Sequence, residues 1–406
     1  MLRYLKKSKL NQRILVFTSG LNHPLTSRTN FLVRYLLEKS IGVKVFDFSF
    51  YEEQQSFIKC LRSILSFPSR AWRSNAGIIR FPLFPVPGNN RIRCSSFIHF
   101  LDIILSFILS SIIVRSLNYD ITVCTDPVGA LLGISARKPN NFVVYEDLDY
   151  FEDLQLGKIQ SMFVSFSEKI SLRRANLVVS VSKPLFNRAK QLNPNCILVP
   201  NGANLQCFTN TSNTSRERVI VYIGSLDEWA GLKLVIDAFP LLKKKIPGLK
   251  LNIVGSGKQK QFLQESVRML SLQDSIFFTG RLSYNQMADL LSSYYIGLAM
   301  FKPCNASAFA SPLKLFDYMA AGVPIIASDL GDIGRIVKES NAGLVVNWTI
   351  DEFVDAVEEL LTNRTLWLNC HRAGLRYVSQ YDWEILFAGW LNEVQNRAYD
   401  KKHILS

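Results

Sequence analysis

Along this chain, short apolar runs alternate with stretches of helical spacing, and the alternation begins twice. The run 13–17, Arg-Ile-Leu-Val-Phe, predicts a first buried strand, followed by a loop holding Gly20. Residues 30–39 carry apolar positions at helical spacing, and 43–48 predict a second strand. Further short apolar runs at 120–124, 142–145 and 177–181 are bounded by turn residues. The pattern restarts at Val219. Strands are expected over 219–223, 249–254, 276–279, 296–300 and 324–328, with helices over 232–245, 258–270 and 284–292. Strands buried on both faces read as continuous apolar runs, and strand–helix alternation gives a parallel sheet covered by helices. The expected fold class is α/β, with two doubly wound, Rossmann-like units. The polar run 209–216 has no hydrophobic residue and reads as the linker between them. Residues 382–397 read as a final helix whose apolar stripe, Trp383, Leu386, Trp390 and Val394, must pack on something.

Within the second unit, residues 311–324 have both ends of a helix marked. Ser311 suits the N-cap, Pro312 the first helical position and Gly322 the C-terminal stop, with Pro324 beyond it. Lys314 then falls in the first turn, where the helix dipole is positive. A lysine there costs roughly 0.3–1 kcal/mol unless an anion is bound nearby. Free backbone N–H groups at the same end favour the same anion. Asp317, three residues on and on the same face, suits a hydroxyl-bearing group beside it. Phosphate plus sugar hydroxyl points to a nucleotide.

Composition narrows the partners. The chain has 406 residues, 48% hydrophobic and 20% charged, which is globular rather than disordered, and a net charge of +14. Such a surplus favours nucleic acid, an anionic membrane surface or phosphorylated substrates. No nucleic-acid-binding motif is present, so no nucleic acid partner is expected. Seven scattered cysteines, an odd number without zinc-type spacing, read as reduced thiols of a cytoplasmic protein. The basic start of the chain lacks an apolar core and does not read as a signal peptide. The apolar run 97–114 carries Asp102, Ser106 and Ser110 on one helical stripe, which favours a domain helix over a membrane-embedded one. Lys59, Arg62, Arg70, Arg73, Arg80, Arg91 and Arg93 fall in a stretch with no acidic residue from 54 to 101. Aromatics are interleaved with them, so residues 57–93 suit peripheral contact with an anionic membrane, on its cytoplasmic face.

Several motifs in the second half carry a resemblance. They are Val199-Pro200-Asn201-Gly202-Ala203-Asn204 with Phe208, then Tyr222-Ile223-Gly224-Ser225, Ile253-Val254-Gly255-Ser256-Gly257, Phe278-Thr279-Gly280-Arg281, and the 311–324 segment followed by Ile325-Ile326-Ala327-Ser328. In order and spacing they resemble glycosyltransferases of the two-Rossmann-domain (GT-B) type, family 4 (group 1). The N-terminal half resembles that family more loosely. The resemblance implies an acceptor-binding domain over 1–208, the linker 209–216, a donor-binding domain over 217–381, and a helix over 382–406 that crosses back onto the first domain. It implies hexosyl transfer from a nucleotide-sugar to an acceptor hydroxyl with retention, in polysaccharide, glycolipid or other glycoconjugate synthesis. The acceptor would be a sugar or a lipid-linked one. The donor site would comprise Gly20, Gly224, Ser225, Gly255, Ser256, Arg281, Ser311, Pro312, Leu313, Lys314 and Asp317. Lys314 matches the family's lysine beside ribose and diphosphate, and Asp317 the second glutamate of its paired-glutamate motif. Neither cofactor nor divalent metal is expected.

This chain departs from the family at three points. The first glutamate of the pair is replaced by Phe309, and two usual cations by Ser225 and Ala230. Charge on the leaving diphosphate must then fall more heavily on Lys314 as a catalytic group, helped by Arg281 or Lys258. In the first half, Tyr145-Glu146-Asp147-Leu148-Asp149 ends an apolar run, at the sheet edge that faces a ligand crevice. A carboxylate there can orient or deprotonate an acceptor hydroxyl, with Asp149 the first choice and Glu146 the second. If Asp149 is a true base, inversion becomes open. Asp147-x-Asp149 also mimics a metal-binding pair, Asp126 is a third acidic candidate, and His23 lies in the Gly20 loop. Two other classes fit the same pattern, a sugar-nucleotide epimerase of this fold and a non-catalytic nucleotide-binding scaffold.

Overall fold

The computed structural model describes residues 12–18, 28–39, 42–47, 78–80, 108, 111–112, 114–117, 119–151, 158–208 and 216–404. The Gly20 and His23 loop, nearly all of 57–93, most of 97–114 and the linker 209–215 lie outside the described residues.

The first sheet contains β1 (Ile14–Thr18), β2 (Val43–Asp47), β3 (Ile78–Arg80), β4 (Ile121–Cys124), β5 (Phe142–Asp147), β6 (Leu177–Ser180) and β7 (Cys196–Leu198). All pairings are parallel, in the order β3-β2-β1-β4-β5-β6-β7. The helices bounded among its described residues are α1 (Arg28–Glu38), α2 (Pro127–Ser135), α3 (Lys158–Arg174) and α4 (Lys183–Leu192).

The second sheet contains β8 (Val219–Ile223), β9 (Lys250–Val254), β10 (Ile276–Gly280), β11 (Ile296–Ala299), β12 (Ile325–Ser328) and β13 (Gly343–Val346). It too is parallel, in the order β10-β9-β8-β11-β12-β13. Its helices are α5 (Leu232–Lys245), α6 (Lys260–Met269), α7 (Tyr284–Leu291), α8 (Asn305–Phe309), α9 (Leu313–Ala320), α10 (Gly331–Ser340), α11 (Ile350–Thr362) and α12 (Arg364–Val378). In each sheet the strand order reverses beside the first strand, β1 with β4 and β8 with β11. Loops leaving opposite ways at such a point open a crevice at the carboxyl edge.

The final helix, α13 (Trp383–Ile404), closes the first domain. Trp383, Phe387, Trp390, Val394 and Ala398 are buried in one cluster with Ile14, Val16, Ile121, Val123 and Val144 of the first sheet. Burying each large apolar side chain contributes roughly 1.5–3 kcal/mol, so this stripe is a large part of the first domain's core. The chain therefore crosses between domains twice, and the crossings are tied together. The Ala203 N–H donates to the Tyr381 carbonyl at 3.1 Å and the Trp383 N–H to the Ala203 carbonyl at 3.2 Å.

Local readings shift in two places that matter. Strand β5 continues past its apolar run to Asp147, so Glu146 and Asp147 lie inside the sheet on opposite faces. Helix α9 starts at Leu313, with Pro312 as its N-cap at φ −68° and ψ 128°, so Ser311 stands outside the helix and does not cap it. The stop is as expected, with Gly322 in the left-handed region at φ +64°.

Candidate functional site

At the carboxyl edge of the second sheet, β8, β9 and the start of α9 enclose a cavity of about 250 Å³. Gly224, Ser225, Gly255, Arg281, Ser311, Pro312, Leu313, Lys314 and Asp317 line it, and Asp149 reaches it from the first domain. The structure thus brings together nine of the donor-site residues named from sequence with one acidic candidate.

Lys314 is held by aromatic rings. Its Nζ lies 3.9 Å from the centroid of the Tyr222 ring and 5.0 Å from that of Phe301. No carboxylate among the described residues pairs with it. Burial pulls the ammonium down to about 7. The position near the positive end of α9 disfavours the cation further. Ring faces offset part of this, and an anion in the cavity would offset the rest. The glycines make the approach possible. A Cβ at Gly224 would stand 2.8 Å from Lys314 Nζ, and one at Gly255 1.9 Å from the Gly224 carbonyl oxygen. Both have φ of +144°, where side chains are strained.

Asp317 is 8% exposed, and burial raises its carboxyl to about 7. The Tyr284 hydroxyl donates to its Oδ1 at 2.8 Å, and the same hydroxyl accepts from the Asn204 N–H at 3.1 Å. The helix that carries both charges is itself anchored, because the buried Tyr318 hydroxyl accepts the Ile223 N–H at 3.0 Å. Ser311 presents its carbonyl to Asn201 Nδ2 at 2.7 Å, while its buried Oγ has no hydrogen-bond partner. Arg281 Nε donates to Ser256 Oγ at 2.5 Å. Ser256 therefore holds Arg281 and does not itself line the cavity, contrary to its expected place in the donor site. Lys258 does not line it either.

On the first domain, Asp149 is open to water in the cleft yet hemmed in by protein, and this desolvation lifts its carboxyl to about 6. Glu146, the second choice for base, is elsewhere. It is fully buried, ion-paired to Arg28 Nε at 2.9 Å, and accepts from Trp390 Nε1 at 2.7 Å. Being inside β5, it faces α1 and α13 instead of the cleft, so its role is packing. Asp147 faces the other way. Its carboxylate accepts from Ser180 Oγ at 3.0 Å and pairs with Arg188 at 3.3 Å. Asp147 and Asp149 therefore do not form a metal-binding pair. Asp126 caps α2, accepting the Gly129 N–H at 2.7 Å.

Sequence reasoning missed Tyr222, Phe301 and Tyr284. They sit among apolar residues in strand and helix patterns, so each reads as ordinary core. Trp229 stacks on Phe301 at 5.6 Å on the cavity wall.

Residues 208–376 match the model of the glycosyl transferases group 1 family. The phosphatidyl-myo-inositol mannosyltransferase of Mycobacterium leprae is 27% identical over 207 residues, 48% of this chain and 52% of that protein. The GDP-mannose:cellobiosyl-diphosphopolyprenol alpha-mannosyltransferase of Xanthomonas oryzae pv. oryzae is 26% identical over 203 residues, 48% of this chain and 51% of that protein. The chain spans about half the length of these relatives. Among solved structures, sucrose-phosphate synthase from Thermosynechococcus elongatus superposes with a TM-score of 0.71 at 17% identity, over 96% of this chain and all of that one. Anabaena HepE in complex with UDP and glucose gives 0.70 at 15% identity, over 95% of this chain and 100% of that one. The fold is GT-B, and residues 208–376 are similar to the glycosyl transferases of group 1.

Proposed function

We propose that this protein transfers a hexosyl group from a nucleoside-diphosphate sugar to an acceptor hydroxyl, holding the donor on the second domain and the acceptor on the first. The observation that carries the proposal is Lys314, a half-buried lysine whose ammonium faces an interdomain cavity with no carboxylate paired to it among the described residues. In the reaction the bond from the anomeric carbon to the diphosphate oxygen breaks, and a bond to the acceptor oxygen forms. Lys314 and the first amides of α9 take the charge released on the diphosphate, the role a divalent cation would otherwise fill. Asp317 accepts from ribose hydroxyls. Retention follows the family resemblance, with the acceptor proton passing to a departing phosphate oxygen. A second reading, inversion with the proton passing to Asp149, is favoured by that carboxylate's place on the same cavity. The configuration of the product, read by NMR, separates the two.

The names of the matched relatives support a lipid-linked acceptor, and the GDP-mannose of one and the UDP of a structural neighbour give the donors to try first. Among the described residues no helix is long and apolar enough to cross a membrane. Work on such an acceptor is therefore proposed as peripheral, through the basic stretch 57–93. Sedimentation with anionic vesicles should carry the protein down in low salt, and no co-sedimentation removes that part of the reading.

The donor site is tested by calorimetry with GDP- and UDP-sugars. Lys314→Ala should abolish measurable binding, and unchanged affinity would sink the assignment. In the free protein Lys314 loses its proton above about pH 7. Binding a diphosphate there must take the proton back, so affinity should fall by up to about tenfold per pH unit above 7. Flat affinity from pH 7 to 9 would mean that Lys314 does not meet the diphosphate.

A further inference from the structure

The position where the family carries its first paired glutamate is Phe309, and its side chain has a partner on the other domain. The Phe309 ring stacks on Tyr150, with centroids 4.6 Å apart and planes within 10°. Tyr150 directly follows Asp149, and Phe309 closes α8, two residues before Ser311 on the cavity wall. The guanidinium of Arg188 sits over both rings, 4.9 Å from Tyr150 and 5.7 Å from Phe309. Arg188 is itself fixed, paired with Glu168 at 2.6 Å and Asp147 at 3.3 Å. Two polar contacts join the same surfaces. Ser182 Oγ donates to the Phe309 carbonyl at 2.7 Å while capping α4, and the Lys183 N–H donates to Asp332 at 2.9 Å. Phe309 is not on the cavity lining, so it cannot replace the glutamate as a donor ligand.

We infer that Tyr150 and Phe309, backed by Arg188, form an interdomain latch that sets the position of Asp149 relative to the donor. These are positioning residues. A charged glutamate at 309 would instead reach toward Arg188 and compete with Glu168 and Asp147. The departure at 309 thus exchanges a donor ligand for a contact that fixes acceptor geometry. The latch acts on transfer and leaves nucleotide binding to Lys314 and Asp317. This inference rests on the function proposed above.

The test compares Phe309→Ala, Tyr150→Ala and their double variant with Phe309→Tyr and Tyr150→Phe. Each alanine should lower kcat about 10- to 100-fold, since small misplacement of reacting groups costs that much. The Kd for nucleoside diphosphate should stay within about twofold. The double variant should be no worse than either single one, because both remove one contact. The ring-preserving variants should keep kcat. Hydrogen exchange over 147–151 and 305–312 should quicken in the alanine variants alone, whether or not a donor is turned over. Unchanged exchange there overturns the latch, and quickened exchange with wild-type kcat overturns its positioning role. Additive losses in the double variant also overturn it. If the wild type transfers from no donor, the proposed function fails, and the exchange measurement still decides whether the latch exists.

Discussion

The two walls of the cleft share one plan and use it differently. At the carboxyl edge of the second sheet, glycines 224 and 255 clear space for the ammonium of Lys314, which meets aromatic rings and, among the described residues, no carboxylate. At the same edge of the first sheet, the charges of β5 are already answered by the protein. Glu146 has Arg28 and Trp390, and Asp147 has Ser180 and Arg188. Only beyond the strand does a carboxylate without an ion-pair partner among the described residues, Asp149, reach the cavity. A charged residue at the ligand edge of a parallel sheet is therefore not yet a site residue. What separates site from scaffold here is whether the protein supplies the counter-charge. Where it does, the group stabilises the fold. Where it does not, the group carries a desolvation cost that a ligand can relieve.

The sharpest way to break this contrast is to neutralise Asp149. If the transfer inverts and Asp149 takes the acceptor proton, Asp149→Asn should lower kcat by about 10²- to 10⁴-fold, the range for a lost proton acceptor. Stability should change little, because Asp149 stands exposed at the cleft and has no ion-pair partner among the described residues. The wild-type carboxyl, lifted to about 6, is protonated below that pH and able to accept a proton above it. The rate should therefore rise through about pH 6 in the wild type and lose that limb in the variant. A full rate in Asp149→Asn would leave the first wall without any catalytic group.

Glu146→Ala tests the same wall from inside the strand. It leaves Arg28 buried without a carboxylate among the described residues, held by the Pro200 carbonyl at 2.9 Å and the Trp383 and Phe387 rings, and removes the acceptor of Trp390. Breaking one side of a buried ion pair costs about 3–5 kcal/mol, so urea unfolding should shift by that amount. Nucleotide affinity of the folded fraction should not change. A stable variant with a lost rate would put Glu146 back in the chemistry.

How much of this was legible differs by wall, for a physical reason. Lys314 and Asp317 share one short helix, so their register alone placed them together. The loops at Gly224 and Gly255 follow strands that read as uninterrupted apolar runs. By contrast, the aromatic cage depends on β8 lying beside β11, which no local pattern reports. Glu146 misled because its partners, Arg28 and Trp390, lie far away in the chain and come together only when α13 crosses back. The extension of β5 to Asp147 has the same origin, since polar residues continue a strand only when distant groups satisfy them. Ser311 was misread as a cap because Pro312 adopts an extended conformation and takes the N-cap position itself.

Asp126 offers the smallest and most local test. Like Asp149 it follows a strand of the first sheet at its carboxyl edge, and from sequence it competes for the same role. In the structure it accepts the Gly129 N–H and begins α2, with Pro127 at the first helical position. An N-cap of this kind contributes about 1 kcal/mol, within a range of about 0.5–2. Asp126→Ala should therefore lower unfolding free energy by that much, and Asp126→Ser, which can still cap, should recover most of it. Neither should change kcat or its rise through about pH 6. If Asp126→Ala instead removed that limb while the helix stayed stable, the proton acceptor would be Asp126, and Asp149 would join Glu146 as scaffold. The contrast between the walls would then turn on capping geometry instead of counter-charge, because Asp126 would be a group already partnered by the protein that still did chemistry.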